Sequence, residues 1–235
     1  LKGQVPPEAF TKNYLPPSTD GTGRIRKQLR QARGLLKQAG WSVKNGKLLN
    51  VKGVPFEFEI LLISPAFERI VLPFARNLKR LGIEVSVRTV DTAQYRRRLD
   101  GFDFDMVVST FGQSLSPGNE QRAFWGSDAA ARQGSRNLVG IKNPAIDKLV
   151  DLIISAPDRQ SLITRTRALD RVLLWNHYVI PQWHLRNFRV AYWDKFGRPA
   201  KTPKYGLAFD SWWVDEVKSA NLSSKLAGSG NKKKY

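Results

Sequence analysis

The sequence predicts an α/β fold organised as β-α-β-α-β, and three observations predict it. First, Phe56, Phe58, Ile60 and Leu62 alternate with Glu57, Glu59 and Leu61, and Ile83, Val85 and Val87 alternate further on, which marks two strands. Second, Ile70, Phe74, Leu78 and Leu81 lie between them at helical spacing. Third, a short helical stretch, Thr92 to Leu99, leads through Gly101 into the apolar run Phe102–Gly112. Strands separated by helices require crossover connections and therefore a parallel or mixed sheet with flanking helices.

The elements follow in order. Residues 1–24 are rich in Pro, Gly and Thr and read as an irregular lead-in without helix or strand. Arg24 to Ala39 is a helix, because Ile25, Leu29, Ala32, Leu36 and Ala39 recur every three or four residues and Gly40 supplies a stop. An Asn45-Gly46 turn follows. Lys47–Val51 and Phe56–Ile63 are expected to pair as a hairpin about Lys52-Gly53. Ser64-Pro65 has the form of a helix start, and Pro73 inside that helix should kink it or move its beginning. Phe102–Gly112 is expected to be one buried strand, followed by a polar loop. Asn143-Pro144 opens a helix whose Ile146, Leu149, Val150, Ile153 and Ile154 share a side. Asp158 opens another, running to about Trp175. A strand is expected from Val179 through Ala191, and disorder from Ser219 onward.

Composition narrows the function. The chain has 235 residues, 41% of them apolar, enough for a real core. It has no cysteine, which excludes disulfides, zinc–thiolate sites, iron–sulfur clusters and cysteine nucleophiles. No apolar run reaches the roughly 18 residues of a membrane span. The net charge of +19 attracts anions or acidic surfaces. The basic clusters, Arg24 to Arg33 and Arg96-Arg97-Arg98, fall on predicted helices and read as solvated faces. They lack the interleaved aromatics of an RNA-binding sheet, so no nucleic-acid partner is expected. Enzyme signatures are missing as well. His177 and His184 stand seven apart, and no nucleophile elbow or phosphate-binding glycine loop occurs. Asp103 and Asp105 read as strand-edge charges. No catalytic residue, metal or cofactor is predicted.

What remains is a binding site. A buried strand ending in Ser109, Thr110, Phe111, Gly112, Gln113 and Ser114 places polar groups at the carboxyl edge of an α/β sheet, where ligands bind. Main-chain groups there suit an extended peptide. Arg122 offers a bidentate fork for a carboxylate. Trp125 is read equally as a pocket wall or as core packing. Trp183, His184 and Arg186 are the remaining candidates. The lead-in and tail carry Val5, Phe10, Tyr14, Leu15 and Trp212-Trp213, apolar groups that need a partner surface, so the chain is expected to be the C-terminal part of a larger protein.

Five landmarks, in one order, resemble the family 5 extracellular solute-binding proteins. They are Ala32-Arg33-Gly34-Leu35-Leu36-Lys37-Gln38-Ala39-Gly40-Trp41, Leu78-Lys79-Arg80-Leu81-Gly82-Ile83-Glu84-Val85, Phe102-Asp103, Asn143-Pro144-Ala145-Ile146-Asp147-Lys148-Leu149 and Val179-Ile180-Pro181. The lead-in and the segments around Trp183 and Trp212-Trp213 resemble the YejA-like oligopeptide-binding branch. The resemblance implies a two-lobed, class II periplasmic binding protein-like α/β fold that closes on its ligand about a hinge. On that reading residues 25–180 are the C-terminal ligand-binding lobe, 181–218 return to the hinge and pack on the N-terminal lobe, and 219–235 are a flexible basic tail.

The implied function is capture of oligopeptides for an ABC importer in the periplasm, with the N-terminal lobe and the permease subunits as partners and a signal peptide in the precursor. The alternatives are another small solute, such as a modified peptide, an opine or a sugar-like conjugate, and, further off, a nucleic-acid module. Nickel or haem cargo is disfavoured by the histidine and cysteine counts. In many relatives the loop after the Phe-Asp strand reads Gly-Asp-x-x-Asp-Pro-x-Asn, its first Asp taking the peptide's ammonium. Here Gly112, Pro117 and Asn119 match, but Gln113 and Ser116 replace the two Asp residues. The resemblance then leaves the ammonium to Glu120 or to the other lobe.

Overall fold

The computed structural model describes residues 3–183, 187–201, 203 and 206–230. They divide into two units, the first ending at Ile180 and the second starting at Pro181.

In the first unit the elements run α1 (Glu8–Thr11), α2 (Arg26–Gln38), β1 (Ser42–Lys44), β2 (Lys47–Leu49), β3 (Glu57–Leu62), α3 (Glu68–Lys79), β4 (Glu84–Thr89), α4 (Thr92–Asp100), β5 (Met106–Val107), α5 (Glu120–Trp125), α6 (Pro144–Ile154) and α7 (Arg159–Trp175). The helix starts follow capping chemistry. Side-chain oxygens of Ser64, Asp91, Asn143 and Asp158 accept from main-chain N–H groups two or three residues on. Pro73 lies inside α3, and a 3-10 turn over Pro65–Phe67 precedes the α-helix.

The central sheet has the order β4-β3-β5, with both pairings parallel, one of the two arrangements that the β-α-β-α-β order allows. Parallel strands buried by helices account for the apolar character of β3. Ile60 and Leu62 are each 2% exposed and pack with Val71 of α3, Val85 and Val87 of β4, and Met106 and Val108. Leu61, fully buried, occupies the opposite face. Burial of each such side chain contributes roughly 1.5–3 kcal/mol. A second cluster seats α2 through Leu29, Ala32 and Leu36 on Leu48, Leu81 and Ile83. The largest cluster joins α5, α6 and α7.

Several expectations are corrected. The hairpin partner of β2 is β1, turning at Asn45-Gly46, where both residues have positive φ (50° and 78°). The expected Lys47–Val51 pairing with the next strand is reduced to one antiparallel bridge, Leu49 with Pro55, because β3 spends its edges on β4 and β5. The Phe102–Gly112 strand shrinks to Met106–Val107. Phe102 takes a left-handed φ of 54° to close α4, which forbids strand there, and pairing to β3 ends at Leu61–Val107. The lead-in is not wholly irregular. Val5, and Ala9 in the short helix α1, are buried in the largest cluster, and Arg171 of α7 donates to the carbonyls of Ala9 and Lys12.

The second unit contains β6 (Phe196–Gly197) paired antiparallel with β7 (Trp213–Val214), and α8 (Glu216–Gly230). Tyr192, Phe196 and Phe209 gather round Trp212, with Arg198 over the rings of Tyr192 and Trp212. No strand forms among the described residues of 179–191, and α8 replaces the expected disorder as far as Gly230. The side chain of Asp215 caps α8 by accepting from the Lys218 N–H.

Candidate functional site

Because β3, β4 and β5 are parallel, their carboxyl ends share one edge of the sheet. The chain leaves β3 for β4 on one side, then crosses back to β5 on the other. The direction reverses between β3 and β5, and a crevice opens beyond the ends of such a strand pair. Two segments stand at that edge: Ile63-Ser64 after β3, and Val108–Ser116 after β5. Ile63 is 46% exposed for a large aliphatic side chain, and Leu115 is 55% exposed. Ser109, Thr110, Gly112, Gln113 and Ser114 are exposed and outside helix or strand. From Ser109 to Gln113 the main chain makes no hydrogen bond among the described residues. Unpaired main-chain donors and acceptors at a sheet edge are a template for an extended ligand.

This segment is nevertheless held in place. The Phe111 ring lies 4.6 Å from that of Trp125 and 5.6 Å from that of Phe124. The Trp125 indole N–H donates to Gln121 Oε1 at 3.0 Å. Gln121, only 3% exposed, donates through Nε2 to Gln113 Oε1 at 2.6 Å and to Glu120 Oε1 at 3.1 Å. Glu120 Oε1 also accepts the Gly118 N–H at 2.8 Å. That bond holds the Glu120 carboxyl below its ordinary range, against the opposing effect of partial burial. Glu120 Oε2 accepts no hydrogen bond among the described residues. At the far end the Arg159 guanidinium donates to the Leu115 carbonyl. A loop fixed at both ends with its middle unpaired keeps its donors and acceptors ready without ordering cost on binding.

The structure brings Ser109, Thr110, Phe111, Gly112, Gln113 and Ser114 together at this edge. Trp125, 7% exposed, is core; of its two readings burial decides for packing. Arg122 lies on α5 and forms an exposed ion pair with Asp151 of α6 at 2.8 Å. Trp183 belongs to the second unit and is 57% exposed. His184 and Arg186 lie outside the described residues. Asp103 and Asp105 sit towards the opposite, amino end of the sheet, where Asp103 pairs with Arg98 at 2.9 Å and Asp105 accepts the Glu59 N–H at 2.9 Å. The sequence reading missed Ile63, Ser64 and Gln121. The sequence signal for Gln121 is a polar residue three and four positions before Phe124 and Trp125, a spacing that has meaning only once α5 is helical. Among the described residues no group of three or more metal-ligating side chains converges. No described helix is long and apolar enough to cross a membrane.

A family model described as bacterial extracellular solute-binding proteins, family 5 Middle, matches residues 2–133. The chain belongs to this family. It is 50% identical over 91% of its length to the uncharacterized protein y4wM of Sinorhizobium fredii, covering 32% of that protein. It is 47% identical over 91% of its length to the probable peptide-binding protein YejA of Agrobacterium fabrum, covering 35% of that protein. The chain thus spans about a third of the length of the curated relatives it matches. Among solved structures, the oligopeptide-binding protein AppA of Bacillus subtilis, in complex with a nonapeptide, superposes with a TM-score of 0.61 at 21% identity, over 80% of this chain and 37% of that one. The family 5 binding-protein fold is the one that the five sequence landmarks indicated, and the YejA-like branch is the one that the lead-in and the segments around Trp183 and Trp212-Trp213 resemble.

Proposed function

We propose that this chain supplies one wall of the ligand cleft in the oligopeptide-binding component of an ABC importer, working in the periplasm and delivering its cargo to the permease. The unpaired main chain from Ser109 to Gln113, standing at the reversal point of a parallel sheet, carries this reading. An extended peptide would bond to it as an added strand, leaving side chains to tolerant pockets. The opposite wall would come from the N-terminal lobe. The peptide name of the YejA relative supports the same cargo.

Glu120 is the ammonium anchor in this reading. Gln113 is neutral and already bound to Gln121, whereas Glu120 is kept ionised with Oε2 free. Loss of a charge-assisted hydrogen bond costs about 1.5–3 kcal/mol, or roughly ten- to a hundredfold in affinity. The test is calorimetric titration of the full-length protein with ligands first recovered from it by mass spectrometry. Peptides should be recovered, and Glu120→Gln should weaken free-amine peptides by that factor while leaving N-acetylated ones unchanged. Recovery of no peptide, with no thermal shift from a peptide library, overturns the function. Equal weakening of both peptide forms overturns the role of Glu120 alone.

A further inference from the structure

The α2 helix carries Arg26, Arg30, Arg33 and Lys37 at spacings of four, three and four, so they form one stripe along its flank. All four are exposed, and α2 contains no acidic residue. Arg33 Nη2 donates to the Arg80 carbonyl at 3.4 Å, which sets the stripe beside the end of α3 and its exposed Arg76, Lys79 and Arg80. None of these seven cations makes an ion pair among the described residues. Where the two helices meet, residues 23–27 and Arg80 surround a depression of about 570 Å³. At the other end of α2, Gly40 lies against Val51, which is 87% exposed, and Val54 in the same turn is 53% exposed. A row of unneutralised cations therefore ends at an apolar tip.

We propose that this face docks on an anionic lipid bilayer, with the stripe against headgroup phosphates and Val51 and Val54 in the interface. A protein partner would need acids in register with seven cations on two helices, whereas a bilayer presents phosphates at every register. Nucleic acid offers phosphates too, but gives the exposed valines nothing. The proposal is independent of the peptide cleft, since the stripe lies on α2 and the end of α3, away from the carboxyl edge of the sheet.

A juxtamembrane cation contributes about 1 kcal/mol near an anionic surface, which is about fivefold in partition. The experiment is sedimentation of the full chain with vesicles of phosphatidylcholine alone and with about one-third phosphatidylglycerol. Binding should require phosphatidylglycerol and weaken steeply between about 0.05 and 0.5 M salt. The triple variant Arg26→Gln, Arg30→Gln, Arg33→Gln should lose about a hundredfold. An equal charge loss elsewhere, Arg97→Gln, Lys142→Gln, Lys148→Gln, should lose far less. Val51→Asp, at an exposed turn that leaves folding intact, should weaken binding at least fivefold. Absence of binding to the anionic vesicles, equal loss in the two triple variants, or tighter binding to duplex DNA than to vesicles at the same salt overturns the proposal.

Discussion

Gln121→Leu tests the internal brace behind the candidate edge. Leucine is close in size, so the substitution removes hydrogen bonds without opening a cavity. The Trp125 indole N–H, in a side chain 7% exposed, loses its acceptor and stays buried. An unsatisfied buried donor costs about 1–3 kcal/mol. The bonds from Gln121 Nε2 to Gln113 and Glu120 are also lost, but both partners can turn to water, so together they add about 1 kcal/mol. The expected loss is about 2–4 kcal/mol by urea unfolding. In a Trp125→Phe background no indole N–H remains, and the same change should cost only about 1 kcal/mol, a coupling of roughly 1–2 kcal/mol. Hydrogen exchange should quicken at Gly118, whose N–H depends on Glu120, and stay slow in β3. A loss under about 0.5 kcal/mol, or an equal loss in both backgrounds, refutes the reasoning.

Three further outcomes follow from particular contacts. Glu120 titrates below its ordinary value of 4.5 in the folded protein, so its contribution to stability is complete above that value and disappears as pH falls through the lower folded one; the urea midpoints of the parent and Glu120→Gln should differ near neutrality and converge on acidification. Gly82 has φ +86°, and a Cβ there would stand 2.8 Å from the Leu48 nitrogen, so Gly82→Ala should destabilise by about 2–4 kcal/mol in denaturant unfolding, and an unchanged midpoint would refute the contact. Arg122→Ala breaks a pair exposed on both sides and should change stability by under about 0.5 kcal/mol; if Arg122 takes a ligand carboxylate, affinity for peptide acids falls while that for peptide amides does not.

Helices α2, α3, α4, α6 and α7 were legible because their signals are local. Asn143-Pro144, Asp158 and Asp91 each satisfy main-chain donors within three residues, and the apolar stripe of α6 needs only its own periodicity. The failures have long-range causes. The length of β5 depends on where β3 stops offering partners, 46 residues earlier in the sequence for the Leu61–Val107 end. The helix α1 has four residues and stands because Ala9 is buried among the helices α5 to α7 and Arg171 holds its carbonyl. No sequence period marks such an element.

The candidate edge divides in the same way. Sequence determined that an apolar run ends in Ser, Thr, Gly and Gln after a β-α-β-α unit, since strand alternation and helix spacing are properties of neighbouring residues. Tertiary structure alone decided that Trp125 is core, that Gln121 ties Gln113 to it, and that the main chain between Ser109 and Gln113 is left unpaired. Whether a polar group is spent or available depends on which distant group reaches it in space, and only the packed molecule fixes that.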